Sequence, residues 1–420
     1  MNLFYKVLGL SGLSRIEKGY FLIYLVTFVP LIYKFISPFF IISGLGSLTV
    51  IINPIIFIVG LILAFADIKK RIRSTDVIFY FLVIILIFFS SLINPDVSDF
   101  FADNAWNFIS GVLPYIFIGL TLDYRKHRAI LKSVAKLGIL VQVFLQTLML
   151  LGLVEHENYG VDDTLGEQMG FAYALLFPTV YILSEAMDEK RFDSILYSII
   201  GVLLLLFMGT RGPIVVLAAF IVINLLVLQK SKNYGIIVKG IVFVLFILLY
   251  LYIDVILEFM LPITLALGFS TRIFNSLLNN EMVSMDASSG REDFYSAVWR
   301  AIENDHGFGY GWGSDRLFTP DDGYAHNFEL EILCQFGLIG GGILLLLLLL
   351  LIIRSCIASS RKSNIMLWVI MLCTGFLSLQ LSGSYITTPL FFIMVGYMTG
   401  IKRAVNNEQL NQNQNAGKYK

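Results

Sequence analysis

The segment DDGYAHNFELEILCQFGLIGG, residues 321–341, sets a histidine, His326, directly ahead of a long apolar run, with Asn327 beside it and Glu329 one turn on. An unperturbed imidazole titrates at about pH 6.5, so it can act as a neutral base near neutrality. A carboxylate such as Glu329 is the kind of third group that orients a base. The structural alternative is a histidine that only caps or pairs at a helix terminus, and the segment alone favours it. Arginines bring a different chemistry: Arg211 in FMGTRGPIVV, Arg272 just after LEFMLPITLALGF, and Arg291 in SSGRED. A planar guanidinium fork grips phosphate oxygens in pairs, which a lysine ammonium cannot do. Asp321 and Asp322 are two adjacent carboxylates without a third ligand, so no metal site is expected from them.

These residues must be positioned by elements suited to lipid. Of the 420 residues, 57% are hydrophobic and 14% charged, whereas soluble domains carry about 45–50% apolar and about 25% charged residues. A helix crossing the hydrocarbon core needs about 20 apolar residues. Such runs lie near 19–38, 47–66, 75–93, 105–122, 130–153, 168–185, 194–209, 212–229, 234–253, 326–353, 364–384 and 388–403. The expected fold is therefore an all-α polytopic membrane protein with about 12 transmembrane helices, forming one membrane domain over residues 1–420. The first apolar run has no small-residue cleavage site after it and reads as a retained span. Cys334, Cys356 and Cys373 have neither disulfide-framework nor zinc spacing. The Asn/Gln-rich stretch 404–420 reads as a disordered tail.

Charge sets the orientation. With the N-terminus inside, every lysine and arginine falls in an inside segment except Lys34, Arg211, Arg272, Arg291, Arg300 and Arg316. Both termini are then cytoplasmic, and the 254–325 segment is one large extracytoplasmic loop. Five of the six exceptions are arginine. The outer face otherwise carries carboxylates such as Asp96, Asp99, Asp103 and Glu155, any of which could simply pair with an arginine. Arg211 stands out because two spans meet there with almost no loop, between Gly209 and the Gly212–Pro213 pair. Its alternative role is a snorkelling side chain that marks the interface.

Within the large loop, 257–269 reads as an interfacial helix that delivers Arg272. The stretch 288–304 reads as an amphipathic helix, with Phe294, Tyr295, Val298, Trp299 and Ile302 on the face that packs against the membrane domain. Arg291 lies in its first turn, where the helix dipole disfavours a cation unless an anion binds there too. Arg300 and Arg316 are accounted for by pairing with Glu303 and Asp315. GFGYGWG at 307–313 lacks the preceding strand and the following helix of a dinucleotide site. It reads as a tight turn or as a Tyr310/Trp312 platform for sugar rings.

Taken in order, GTRG at 209–212, SGRED with a downstream Trp at 289–299, GFGYGWG, and HNFELEILCQFGLIGG resemble the conserved block of the O-antigen ligase and Wzy-type polysaccharide polymerase superfamily. The resemblance covers roughly residues 195–345, while the N-terminal spans match only in hydropathy. It implies a GT-C-like membrane fold and a glycosyltransferase of the bacterial cytoplasmic membrane that needs no cofactor. It carries diphosphate binding to Arg211 and Arg291 and the role of base to His326, with Asn327 and Glu329 in support. The resemblance carries no role to Arg272, which is assigned to the diphosphate by its position after the interfacial helix. The implied substrates are polyprenyl-diphosphate-linked oligosaccharides as donor and acceptor, with a chain-length regulator as accompanying partner and no nucleic acid. The implied product is O-antigen, capsule or exopolysaccharide. Polymerase and ligase differ only in acceptor, and these motifs do not separate them, although the compact loop leans toward polymerase. A flippase or transporter would need a polar pathway near the midplane, and few ionisable residues lie mid-span.

Overall fold

The computed structural model describes residues 12–32, 51–92, 94–150, 163–208, 210–224, 258, 261–262, 291–305, 307–319, 323–360 and 365–401. The expected span at 234–253, the tail, Arg272 and most of the expected interfacial helix lie outside them. In chain order the helices are α1 (Arg15–Phe28), α2 (Ile52–Arg71), α3 (Ser74–Ser91), α4 (Ser98–Asn107), α5 (Tyr115–Thr121), α6 (Tyr124–Leu150), α7 (Asp163–Glu189), α8 (Phe192–Phe207), α9 (Arg211–Ile223), α10 (Arg291–Asn304), α11 (Asp315–Phe318), α12 (Phe328–Phe336), α13 (Gly342–Ser360), α14 (Ile365–Met371), α15 (Ser378–Leu381) and α16 (Pro389–Ile401). No strand occurs among the described residues.

Among the described residues, five stretches are long and apolar enough to cross a membrane: α2, α3, Tyr124–Leu148, Met169–Glu189 and Phe328–Ser359. Shorter apolar helices cover Phe192–Phe207, Arg211–Ile223, Ile365–Leu381 and Pro389–Ile401. Over its described residues the protein is thus all-helical, with several helices of membrane-crossing length and composition, as a polytopic membrane protein requires. The span expected at 105–122 is not one helix. Instead α4 ends at Asn107, a π-helical turn follows over Phe108–Val112, and α5 begins only after Pro114. Proline has no N–H to continue the ladder and its ring clashes with the preceding turn, so the run divides there.

The chain forms two compact units, each built from two separate stretches. The first combines residues 1–67 with 123–287. In it α1, α6, α7 and α8 pack together. A ladder of ion pairs fastens α6 to α7 and α8: Arg128 to Glu185 at 2.9 Å and Asp188 at 2.7 Å, Lys132 to Glu189, and Lys136 to Asp193 at 2.6 Å. Residues 128, 132 and 136 recur every fourth position, which puts all three cations on one face of α6. The second unit combines residues 68–122 with 288–420. There α5 and α16 approach so closely that a β-carbon on Gly119 or Gly396 would fall on the neighbouring helix's backbone carbonyl.

Candidate functional site

The second unit holds His326 at the entrance to α12. Asn327 is the helix cap: its side-chain oxygen accepts the Leu330 N–H at 2.9 Å. Because the neighbour performs the capping expected of a terminal asparagine, the imidazole is not needed for it. His326 itself has φ 50°, in the left-handed region. A non-glycine residue held there costs about 1–3 kcal/mol and persists only where its surroundings over-determine it. Those surroundings are visible. The imidazole stacks on the Tyr324 ring, centroids 4.0 Å apart, and meets the edge of Phe294 at 5.7 Å. The Tyr295 hydroxyl donates to the His326 carbonyl at 3.3 Å.

Phe294 and Tyr295 come from α10, the amphipathic helix expected at 288–304. Its face packs as expected at Val298 and Ile302, both fully buried against Ala325 and Cys334. Trp299 departs from that face: it is 46% exposed and donates its indole N–H to Glu303 at 2.7 Å. Glu303, expected to pair with Arg300, is engaged by Trp299.

Below His326 lies a buried polar cluster that sequence reasoning largely missed. Asp315 and Glu331 are 0% and 1% exposed, with Arg316 between them. Asp315 accepts hydrogen bonds from Arg316 at 3.0 Å, from the Gln335 amide at 2.8 Å and from the Ala325 N–H at 3.1 Å. Glu331 accepts from the Ser384 hydroxyl and, at 3.4 Å, from the Tyr385 N–H. Tyr385 donates its hydroxyl to the Gln335 side-chain carbonyl. Arg316 also donates to Ser384 at 3.1 Å, and its guanidinium lies 4.6 Å from the Phe100 ring and 5.9 Å from that of Tyr324. The expected Arg316–Asp315 pairing is present, as one contact among several. Burial pushes the Tyr385 phenol well above its ordinary value, reinforced by the carboxylates of Glu331 and Asp315.

GFGYGWG is tight-turn structure. Gly307, Gly309, Gly311 and Gly313 all have φ between 81° and 96°. Tyr310 and Gly311 donate backbone N–H groups to Cys334 and Gln335 at 3.0 Å each. The segment is thereby laced to the end of α12. Trp312 is 0% exposed among Phe100, Phe101 and Phe108. It therefore offers no face to a sugar, and Tyr310 spends its hydroxyl on the Ala301 carbonyl at 3.0 Å.

Of the other predicted residues, Glu329 is half-buried in the first turn of α12. Arg211 opens α9 in the first unit, half-buried, after a connection of three residues, 208–210. Arg291 opens α10. Both arginines thus head helices of more than three turns, where free backbone N–H groups suit an anion. Arg272, Asp321 and Asp322 lie outside the described residues. Among the described residues no group of three His, Cys, Asp or Glu could hold a metal ion.

The site is an aromatic-flanked imidazole at the head of a membrane-length helix, backed by buried ion pairs. Residues 196–345 match the protein family described as O-antigen ligase, so the resemblance read from the sequence stands on that segment. The match spans α8, α9, α10 and His326. Searches of curated proteins and of solved structures give no match.

Proposed function

We propose that this protein polymerises polyprenyl-diphosphate-linked oligosaccharide repeat units on the outer face of the bacterial cytoplasmic membrane. An acceptor sugar hydroxyl attacks the anomeric carbon of a second lipid-linked glycan. The new C–O bond forms as the bond from that carbon to the diphosphate oxygen breaks, and the polyprenyl diphosphate leaves. His326 takes the hydroxyl proton during attack, a role worth about 10²–10⁴ in rate for a positioned general base. Arg211, Arg272 and Arg291 are assigned to the diphosphate, whose charge grows as it departs. The observation that carries this reading is the held imidazole. Asn327 does the capping, while Tyr324, Phe294 and Tyr295 fix His326 in a strained backbone conformation. A histidine with only a terminus to cap would not need that arrangement.

The description of the matched family favours a second reading, transfer of finished glycan to another acceptor. Purified full-length protein incubated with lipid-linked repeat units separates the two. A ladder of lengths supports polymerisation, and a single product on a foreign acceptor supports ligation. Translocation of units without any product would overturn both. His326→Ala is expected to lower turnover about 10²–10⁴-fold with the protein still folded, and an unchanged rate removes the base assignment.

A further inference from the structure

Tyr324, whose ring lies against the His326 imidazole, is itself tied to the strap between α15 and α16. Residues 382–385 lie between these two helices and are pinned from below by the buried cluster. Glu331 accepts from Ser384 and from the Tyr385 N–H, while Arg316 donates to Ser384. From this anchored strap the Gly383 N–H donates to the Tyr324 hydroxyl at 3.0 Å. Gly383 has φ 95°, a conformation in which an L side chain is strained, so the N–H direction is fixed by the turn. The opposite end of Tyr324, its ring, lies against the imidazole with an interplanar angle of 39°. The Arg316 guanidinium lies 5.9 Å from that same ring.

We propose that Tyr324 is a positioning residue, fixing the His326 imidazole through its ring while the Gly383 strap and the Asp315–Arg316–Glu331 cluster fix Tyr324. The proposal rests on the reading of His326 as base and adds a residue to it. Tyr324 touches no reacting atom in this scheme, so its whole effect passes through His326. Stacking needs the ring and not the hydroxyl. The hydroxyl's bond limits only how far the ring can swing. Misplacing a reacting group by about 1 Å costs about 10²-fold in rate. Tyr324→Leu is therefore expected to lower kcat about 30- to 100-fold, with KM held within about twofold. Tyr324→Phe keeps the ring and is expected to stay within about threefold to tenfold of the parent, since one neutral hydrogen bond is lost. Gly383→Ala acts through the Tyr324 hydroxyl that its N–H donates to and should resemble Tyr324→Phe.

The test is a double-mutant cycle in the full-length protein, with polyprenyl-diphosphate-linked repeat units as substrate. On the parent background Tyr324→Leu lowers kcat as stated. On the His326→Ala background it should add less than about twofold, because no imidazole remains to be positioned. An equal loss on both backgrounds would show a structural role and overturn the proposal. So would full activity of Tyr324→Leu, or failure of Tyr324→Phe to rescue it. Should Tyr324→Leu not fold, Tyr324→Phe and Gly383→Ala carry the same cycle with smaller factors. A fully active His326→Ala defeats the base reading, whereas an impaired His326→Ala beside a fully active Tyr324→Leu defeats this proposal alone.

Discussion

Gly307 and Gly309 form a matched pair for testing how the glycine-rich turn is held. Both have positive φ, 94° and 81°. An alanine at either position takes on left-handed strain of about 1–2 kcal/mol. Their surroundings differ. A β-carbon on Gly307 would stand 3.4 Å from a terminal atom of the Ile339 side chain, which is an ordinary contact. One on Gly309 would stand 2.5 Å from the Gln335 carbonyl oxygen and closer still to the Gly337 nitrogen. Those are backbone atoms at the end of α12 and cannot swing aside as a rotamer can. Overpacking of that kind adds about 1–3 kcal/mol. Gly309→Ala is then expected to cost about 2–5 kcal/mol and Gly307→Ala about 1–2. For a unit of this size each kcal/mol shifts the midpoint by about 2–4 °C. Thermal unfolding of the two variants in the same detergent, followed by tryptophan fluorescence, measures the difference. Trp312, one of four tryptophans, sits within the same segment, buried among three phenylalanines, so part of the signal comes from the site of the change. Equal midpoints for the two variants would refute the packing argument, because the strain common to both would then account for everything.

Asp315→Ala strips the Ala325 N–H, the Gln335 amide and Arg316 of one shared acceptor, and breaking such a buried pair is expected to cost about 3–5 kcal/mol in thermal or denaturant unfolding. Trp312→Ala is expected to lose about 3–5 kcal/mol from its cavity, and Trp312→Phe, which keeps an aromatic ring among the three phenylalanines, less than that in the same thermal unfolding measurement. The Tyr385 phenol, raised by burial, is held neutral in the folded state where the unfolded chain begins to ionise at about pH 10. Its stabilising contribution is whole below that value and declines as pH rises past it, so Tyr385→Phe should flatten the alkaline fall in melting temperature.

Periodicity and hydropathy made most of the scaffold legible. The apolar runs read at 47–66 and 75–93 are the continuous helices Ile52–Arg71 and Ser74–Ser91, while the run read at 326–353 is helical with a π-helical turn at Gly337–Gly341. The 105–122 run is also expected as a span, yet Pro114 and the π-helical turn before it divide it. Hydropathy averages over a window and does not register a missing donor. At the site, His326 and Asn327 were visible as a pair, and the structure decides which of them caps. Glu331 and Gln335 stayed hidden inside a helix that reads as apolar. They recur four apart on one face, a spacing that could have flagged them, but their partners Ser384 and Tyr385 lie about fifty residues downstream. Asp315 and Arg316 were legible as neighbours, and the charge pattern predicted their pairing. It could not predict that a second carboxylate would share the arginine.

The interleaving of the two units constrains how the chain is made. Residues 68–122 belong with 288–420, and the 123–287 stretch must be synthesised in between. At roughly 5–20 residues per second the earlier stretch waits roughly ten to thirty seconds for its partner. Through that interval the Gly119 face of α5 stands without α16, the helix whose backbone it later meets at contact distance. Vectorial synthesis therefore leaves the Gly119 face of α5 uncovered until α16 emerges, about 270 residues later.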